Sequence, residues 1–214
     1  MNIKGVITGD IVSSSTIKAE WRDTLLRVLQ EIVDELKTVS DLKIEFFRGD
    51  SFQILVDNPE KVLDIAILFR AAMMSRTPTG SKQLWDARMA IGVGAVAFLS
   101  ESIIVSDGEA FRFSGRSMDL IKKRKLTIHT RWTNMNEELK VSTAFADDIV
   151  SHWTQAQAEV IFMSLLHDMP QKKIALKIGK TPQTISKLLG LAKEYLIKLY
   201  LERYHSLISK EIAP

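Results

Sequence analysis

The sequence predicts an α+β fold in two parts: a ferredoxin-like sheet domain over residues 1–150 and an all-α helix-turn-helix domain over 151–214. Two observations predict it. In the first part, strand-like and helix-like patterns follow the order β-α-β-β-α-β, that of helices packed on one face of an antiparallel sheet. In the second part the patterns are helical, and Gln171 to Leu189 carries the small residue, turn glycine and caps that a steep helix-turn-helix crossing requires.

Each element has its own signal. Residues 3–12 read as a buried strand ending in the polar turn Ser13 to Thr16. An amphipathic helix is expected from Lys18 to Thr38, because Leu25, Leu29, Ile32, Val33 and Leu36 recur at helical spacing. Residues 43–57 read as two strands joined by a tight turn at Gly49-Asp50. Asn58-Pro59 leads into an apolar helix from Lys61 to Met74. Residues 87–98 form a glycine-bearing buried strand, and residues 101–108 a shorter strand and turn. Ala110 to Arg124 is expected to be helical in its second half, residues 126–132 to be a strand, and Leu139 to Trp153 to begin the passage into the C-terminal helices.

Thr154 and Gln157 make a capping box for a helix ending near His167. Asp168 and Pro170 are read as N-cap and first residue of the next helix, in which Ala175 is the small residue before the Gly179 turn. Thr181-Pro182 restarts the chain, again as N-cap and first helical residue. Ile174, Ile178, Ile185 and Leu188 supply the packed face. The last helix is expected to run from Pro182 to Ser209 with a bend at Gly190. Its stripe of Leu188, Ala192, Tyr195, Leu196 and Leu199 must bury against the N-terminal domain or a second copy.

Composition sets bounds on function. The 214 residues are 46% hydrophobic, enough for a packed core, and include no cysteine, which excludes disulfides and thiolate metal sites. The opening residues put Asp10 where a signal peptide would be apolar, and no run approaches the ~18 apolar residues that span a bilayer. A soluble cytoplasmic protein with no membrane partner is expected. Net charge is +3, unevenly placed: from Ser151 onward there are nine Lys/Arg against five Asp/Glu. The basic excess thus falls in the segment with the helix-turn-helix, as phosphate binding requires.

The segment Gln171 to Leu189 resembles the helix-turn-helix of sigma-factor region four and of response-regulator output domains. The resemblance implies that the second helix enters the major groove of duplex DNA. Gln183, Thr184, Ser186 and Lys187 would then face the DNA, with Lys172, Lys173, Lys177, Lys180 and Thr181 along the backbone contacts.

Two motifs carry chemistry in the first part: Thr8-Gly9-Asp10-Ile11-Val12 at the end of the first strand, and Arg48-Gly49-Asp50-Ser51-Phe52 in the hairpin. Adjacent strands would bring Asp10 and Asp50 together as a hard oxygen site for Mg²⁺ with a nucleotide. These residues, with Arg88 to Gly94 and Asp107 to Gly115, resemble class III nucleotidyl cyclases over residues 1–135. The resemblance implies metal-binding roles for Asp10 and Asp50 and nucleotide contacts at Arg48, Asp107, Arg116 and Lys123. It also shows departures: Asp119 and Lys123 stand where the family has its ribose-orienting Asn and transition-state Arg, and Lys cannot reproduce the Arg fork. No catalytic residue is assigned, and a ligand-sensing or dimerising domain is expected in place of an active cyclase. The whole arrangement resembles the SatD-type bacterial proteins, which implies a homodimeric, DNA-binding transcriptional regulator. Two rival readings stay open: a Mg²⁺-dependent enzyme or sensor of nucleoside triphosphates, and a protein-docking module of the transcription machinery.

Gly179-Lys180-Thr181 lacks the upstream glycine of a phosphate-binding loop, and Gly92-x-Gly94 lacks the helix that a dinucleotide site needs directly after it. The four histidines have no metal-ligand spacing.

Overall fold

The computed structural model describes residues 2–47 and 49–213. Its first half contains β1 (Ile3–Ile11), α1 (Arg22–Leu36), β2 (Leu42–Phe47), β3 (Ser51–Val56), α2 (Val62–Ser75) and β4 (Ala87–Phe98). These strands lie in the order β2-β3-β1-β4, each antiparallel to its neighbour. That is the order expected from β-α-β-β-α-β. The start of β4 also pairs, in parallel, with β6 (Leu126–Thr130), and its far end with the two-residue β5 (Asp107–Gly108).

Strand alternation divides the core between the two faces of the sheet. Ile7, Phe52, Ile54, Met89 and Ile91 face α1 and α2, whereas Val6 and Leu55 pack with Ala110 and Phe111 of α3 (Glu109–Leu120). Helices therefore cover both faces, not one. Glycine makes the second layer possible: a Cβ at Gly92 would fall 2.1 Å from the carbonyl oxygen of Ala110, so α3 rests its backbone directly on β4. A hydrogen bond of 2.9 Å between the Thr8 and Ser114 hydroxyls fixes it to β1 as well.

The second half is helical: α4 (Thr133–Ser151), α5 (Gln155–His167), α6 (Gln171–Ile178), α7 (Pro182–Leu191) and α8 (Glu194–Ile212). Several boundaries differ from expectation: α1 is shorter at both ends than Lys18 to Thr38, and α4 starts at Thr133, before Leu139. Residues 101–108 hold a 3-10 turn (Ile103–Val105) and only the short β5, because Ile103 alone of that apolar triplet is buried. Helix α3 starts at Glu109 and stops at Leu120, before Arg124. Asp168 closes α5 in the left-handed region (φ 44°) and does not cap α6, whose N-cap position is Pro170. The long last helix is two helices, broken at Lys193 (φ 58°) and not bent at Gly190.

The two halves share one core. Twelve of the fourteen residues of α2 are buried, which requires cover on both sides. The sheet covers one side; α5, with Ala158, Ile161 and Phe162, belongs to the same core on the other. In the middle of α2, the Arg70 guanidinium is fully buried. It donates to both oxygens of Asp86 (2.9 and 2.9 Å), to Asp147 of α4 (2.8 Å) and to Ser151 (2.9 Å). Burial works against its charge, but the two carboxylates outweigh that and hold its pKa above the ordinary value. Among the described residues, no helix is long and apolar enough to cross a membrane.

Candidate functional site

The helix pair α6–α7 is assembled by local signals. In α6, Ile174 and Ala175 turn inward while Lys172, Lys173 and Lys177 turn out. Gly179 takes the left-handed conformation (φ 65°, ψ 36°), and the Lys180 N–H donates back to the Ala175 carbonyl at 2.9 Å, which closes the helix. Thr181 caps α7: its Oγ1 accepts from the Thr184 N–H at 3.2 Å, and Pro182 occupies the first turn. Ile185 and Leu189 then bury. Leu189 takes the inner place expected of Leu188, which is only half-buried.

The outer surface holds every residue proposed for DNA contact. Lys172, Lys173, Lys180, Thr181, Gln183, Thr184, Ser186 and Lys187 are all exposed, as is Lys177. None of these five lysines has an ion-pair partner among the described residues. Thr184 is the exception to free availability, since its hydroxyl is 2.9 Å from that of the capping Thr181.

A second cluster lies at one end of the sheet. Asp10 of β1 stands opposite Ser51 of β3 on one side and Arg88 of β4 on the other. The Ile11 N–H donates to the Asp50 carbonyl at 3.0 Å, so the two aspartates sit at the same end of adjacent strands. Arg88 grips Asp10 with a fork, Nε to Oδ1 at 2.9 Å and Nη2 to Oδ2 at 2.6 Å. That hydrogen bonding raises the Arg88 pKa against the effect of burial, and the charges of Asp10 and Asp50 add to it. Ser14, in the turn after β1, donates to Asp50 Oδ2 at 2.5 Å. Beside Asp50 a cleft of about 420 Å³ is lined by Ser14, Ser15, Arg22, Leu25 and Leu26.

The other expected nucleotide contacts gather here only in part. Asp107 lies at the opposite end of β4, beside Phe98, and pairs with Arg112 at 2.8 Å. Arg116 is exposed on α3. Lys123 is exposed in the loop before β6, whose Lys125 carbonyl accepts from Met89 at 2.8 Å, so it lies at the Arg88 end of the sheet. Arg48 lies outside the described residues. The donors present make a poor fit to a Mg²⁺–nucleotide centre. Both Asp10 oxygens are engaged by a cation, one Asp50 oxygen is engaged by Ser14, and no group of three metal-ligating side chains occurs among the described residues. A divalent ion would have to displace the Arg88 guanidinium, so no step is derived through one. Sequence reasoning assigned Arg88 no role at this site. Its part depends on the antiparallel register of β1 and β4, which places it across from Asp10.

No family model matches the chain, and no curated protein matches it. Solved structures do. The chain is similar to the active GGEEF domain of a diguanylate cyclase from Vibrio cholerae, with 15% identity and a TM-score of 0.45, over 62% of this chain and 85% of that one. It is also similar to a bacterial light-regulated adenylyl cyclase, with 13% identity and a TM-score of 0.41, over 59% of this chain and 74% of that one.

Proposed function

We propose that this protein is a DNA-binding regulator: α7 reads duplex DNA in the major groove, and the sheet end at Asp10, Arg88 and Asp50 serves a ligand-responsive role. One observation carries the reading. The α6–turn–α7 unit presents Gln183, Ser186 and Lys187 on one exposed helix face, flanked by four further lysines that no carboxylate among the described residues neutralises. Gln and Ser can bond base edges, while the lysines suit phosphates on either side of the groove. The positive end of the α7 dipole adds to that field at Thr181. Each phosphate neutralised steepens the salt dependence of log K by about 0.9.

Fluorescence anisotropy on mixed duplex fragments at several salt concentrations tests the reading. Wild-type protein binds in a salt-dependent way. The pair Gln183→Ala and Lys187→Ala loses binding without any change in thermal unfolding, because both side chains are exposed and unpartnered. Undiminished binding by the double variant would overturn the assignment of α7. The ligand role of the sheet is read separately, from the shift of the unfolding temperature with ATP or GTP, with and without Mg²⁺. The cleft beside Asp50 supports that role, and no shift under any condition would remove it.

A further inference from the structure

The apolar stripe on α8 finds no cover within the chain. The inner face of that helix buries Ile197, Tyr200, Leu201, Tyr204 and Ile208. The residues expected to extend the stripe stay out: Tyr195 is 74% exposed, Leu196 45% and Leu199 49%. Helix α4 adds Val141 (58%) and Phe145 (69%), one turn apart on its own outer side. The two helices are locked side by side by a 2.6 Å hydrogen bond between Thr143 and Tyr200 and by the Arg203–Glu138 fork (2.6 and 2.9 Å). These contacts set an antiparallel register in which Phe145 comes level with Leu196, and Ser142 with Leu199. Five large apolar side chains therefore share one two-helix face.

We infer that this α4/α8 face is the surface on which a second copy of the chain docks, two helix pairs closing into a four-helix bundle. Two arguments select a second copy. First, the size is right. Aromatic side chains bring ~150–250 Å² each, so two aromatics and three aliphatics supply on the order of half of the ~800 Å² per partner in a standard interface. The polar flanks of two helices five turns long supply the rest. Second, antiparallel helix pairs with apolar outer stripes pack on each other at the shallow angle typical of bundles. Tyr195 and Leu196 also line a groove with Ser186 and Gly190 of α7, whereas Val141, Phe145 and Leu199 do not.

The chain contains no cysteine, which makes the test direct. Sedimentation equilibrium of the full chain through the high-micromolar range is expected to give twice the mass of one chain. Phe145→Glu with Leu199→Glu is expected to give the single-chain mass with unchanged helical circular dichroism, since both side chains are exposed. Leu176→Glu, on the outer side of α6 and 86% exposed, is expected to leave the dimer intact. A spin label on Leu199→Cys should show dipolar coupling between copies. A wild type that stays at single-chain mass, or a dimer that persists in the double variant, would overturn the assignment.

Discussion

The residue with the most consequence at the sheet end is Arg88. Two carboxylates and one guanidinium lie there at the ends of three adjacent strands, and Arg88 spends both arms of its fork on Asp10. Asp10 is thereby neutralised without an added ion. Removing the guanidinium changes which cation the site favours: Arg88→Ala leaves Asp10 without the fork that grips it, and a divalent ion then gains what the guanidinium held. Mg²⁺ or Mn²⁺ is therefore expected to raise the unfolding temperature of Arg88→Ala more than that of the wild type. Equal shifts in the two proteins would mean that the guanidinium does not compete with a metal here. Neither the pairing of Asp10 with Arg88 nor the contact of Ser14 with Asp50 was legible in the sequence. Asp10 and Arg88 are 78 residues apart, and only the strand register joins them.

At the scale of elements, legibility followed how local the cause is. Strand β4 was read over its whole length, residues 87–98, because its apolar run is long and its glycines serve a close approach at that very place. The Thr154 capping box and the Thr181-Pro182 start were read because capping is settled within four residues. The break before α8 escaped because a lysine in the left-handed region leaves no mark in a sequence, whereas Gly190, the obvious candidate, sits inside α7 with ordinary helical neighbours. Likewise the position of α3 on the second face of the sheet depends on what Gly92 touches, not on the pattern of α3 itself. The same break carries a prediction. An L-residue in the left-handed region costs about 1–2 kcal/mol that glycine does not incur, offset in part by the greater freedom of glycine in the unfolded chain. Lys193 is exposed, and among the described residues its side chain has no partner to lose. Lys193→Gly is therefore expected to stabilise the protein by up to about 1 kcal/mol, read as a higher denaturant midpoint at unchanged m. A lower midpoint would show that the break does not store this strain.

At the scale of the molecule, sheet and helices are expected to unfold as one unit, because the sheet leaves α2 uncovered on the side that α5 and α8 bury. Polar contacts reinforce the seam: Arg70 ties α2 to α4 through Asp147, and Tyr204 donates to the Pro59 carbonyl at 2.7 Å. The last of these makes the seam sensitive to alkali. Burial raises the pKa of Tyr204 well above its ordinary value of 10.0, and burial likewise raises that of Tyr200. A tyrosine whose folded pKa exceeds its unfolded pKa stays protonated in the native state while the unfolded chain gains stability by losing the proton. The contribution of these groups is thus complete below about pH 10 and declines as pH rises toward the raised folded values. Wild-type protein is expected to lose stability steeply above pH 10, in a single transition seen alike by sheet and helix signals. Tyr204→Phe starts lower by about 1–2 kcal/mol, since the Pro59 carbonyl loses its donor. It also falls less steeply above pH 10, having one fewer buried proton to lose. Two separate transitions, or identical alkaline slopes in the two proteins, would count against a seam held in this way.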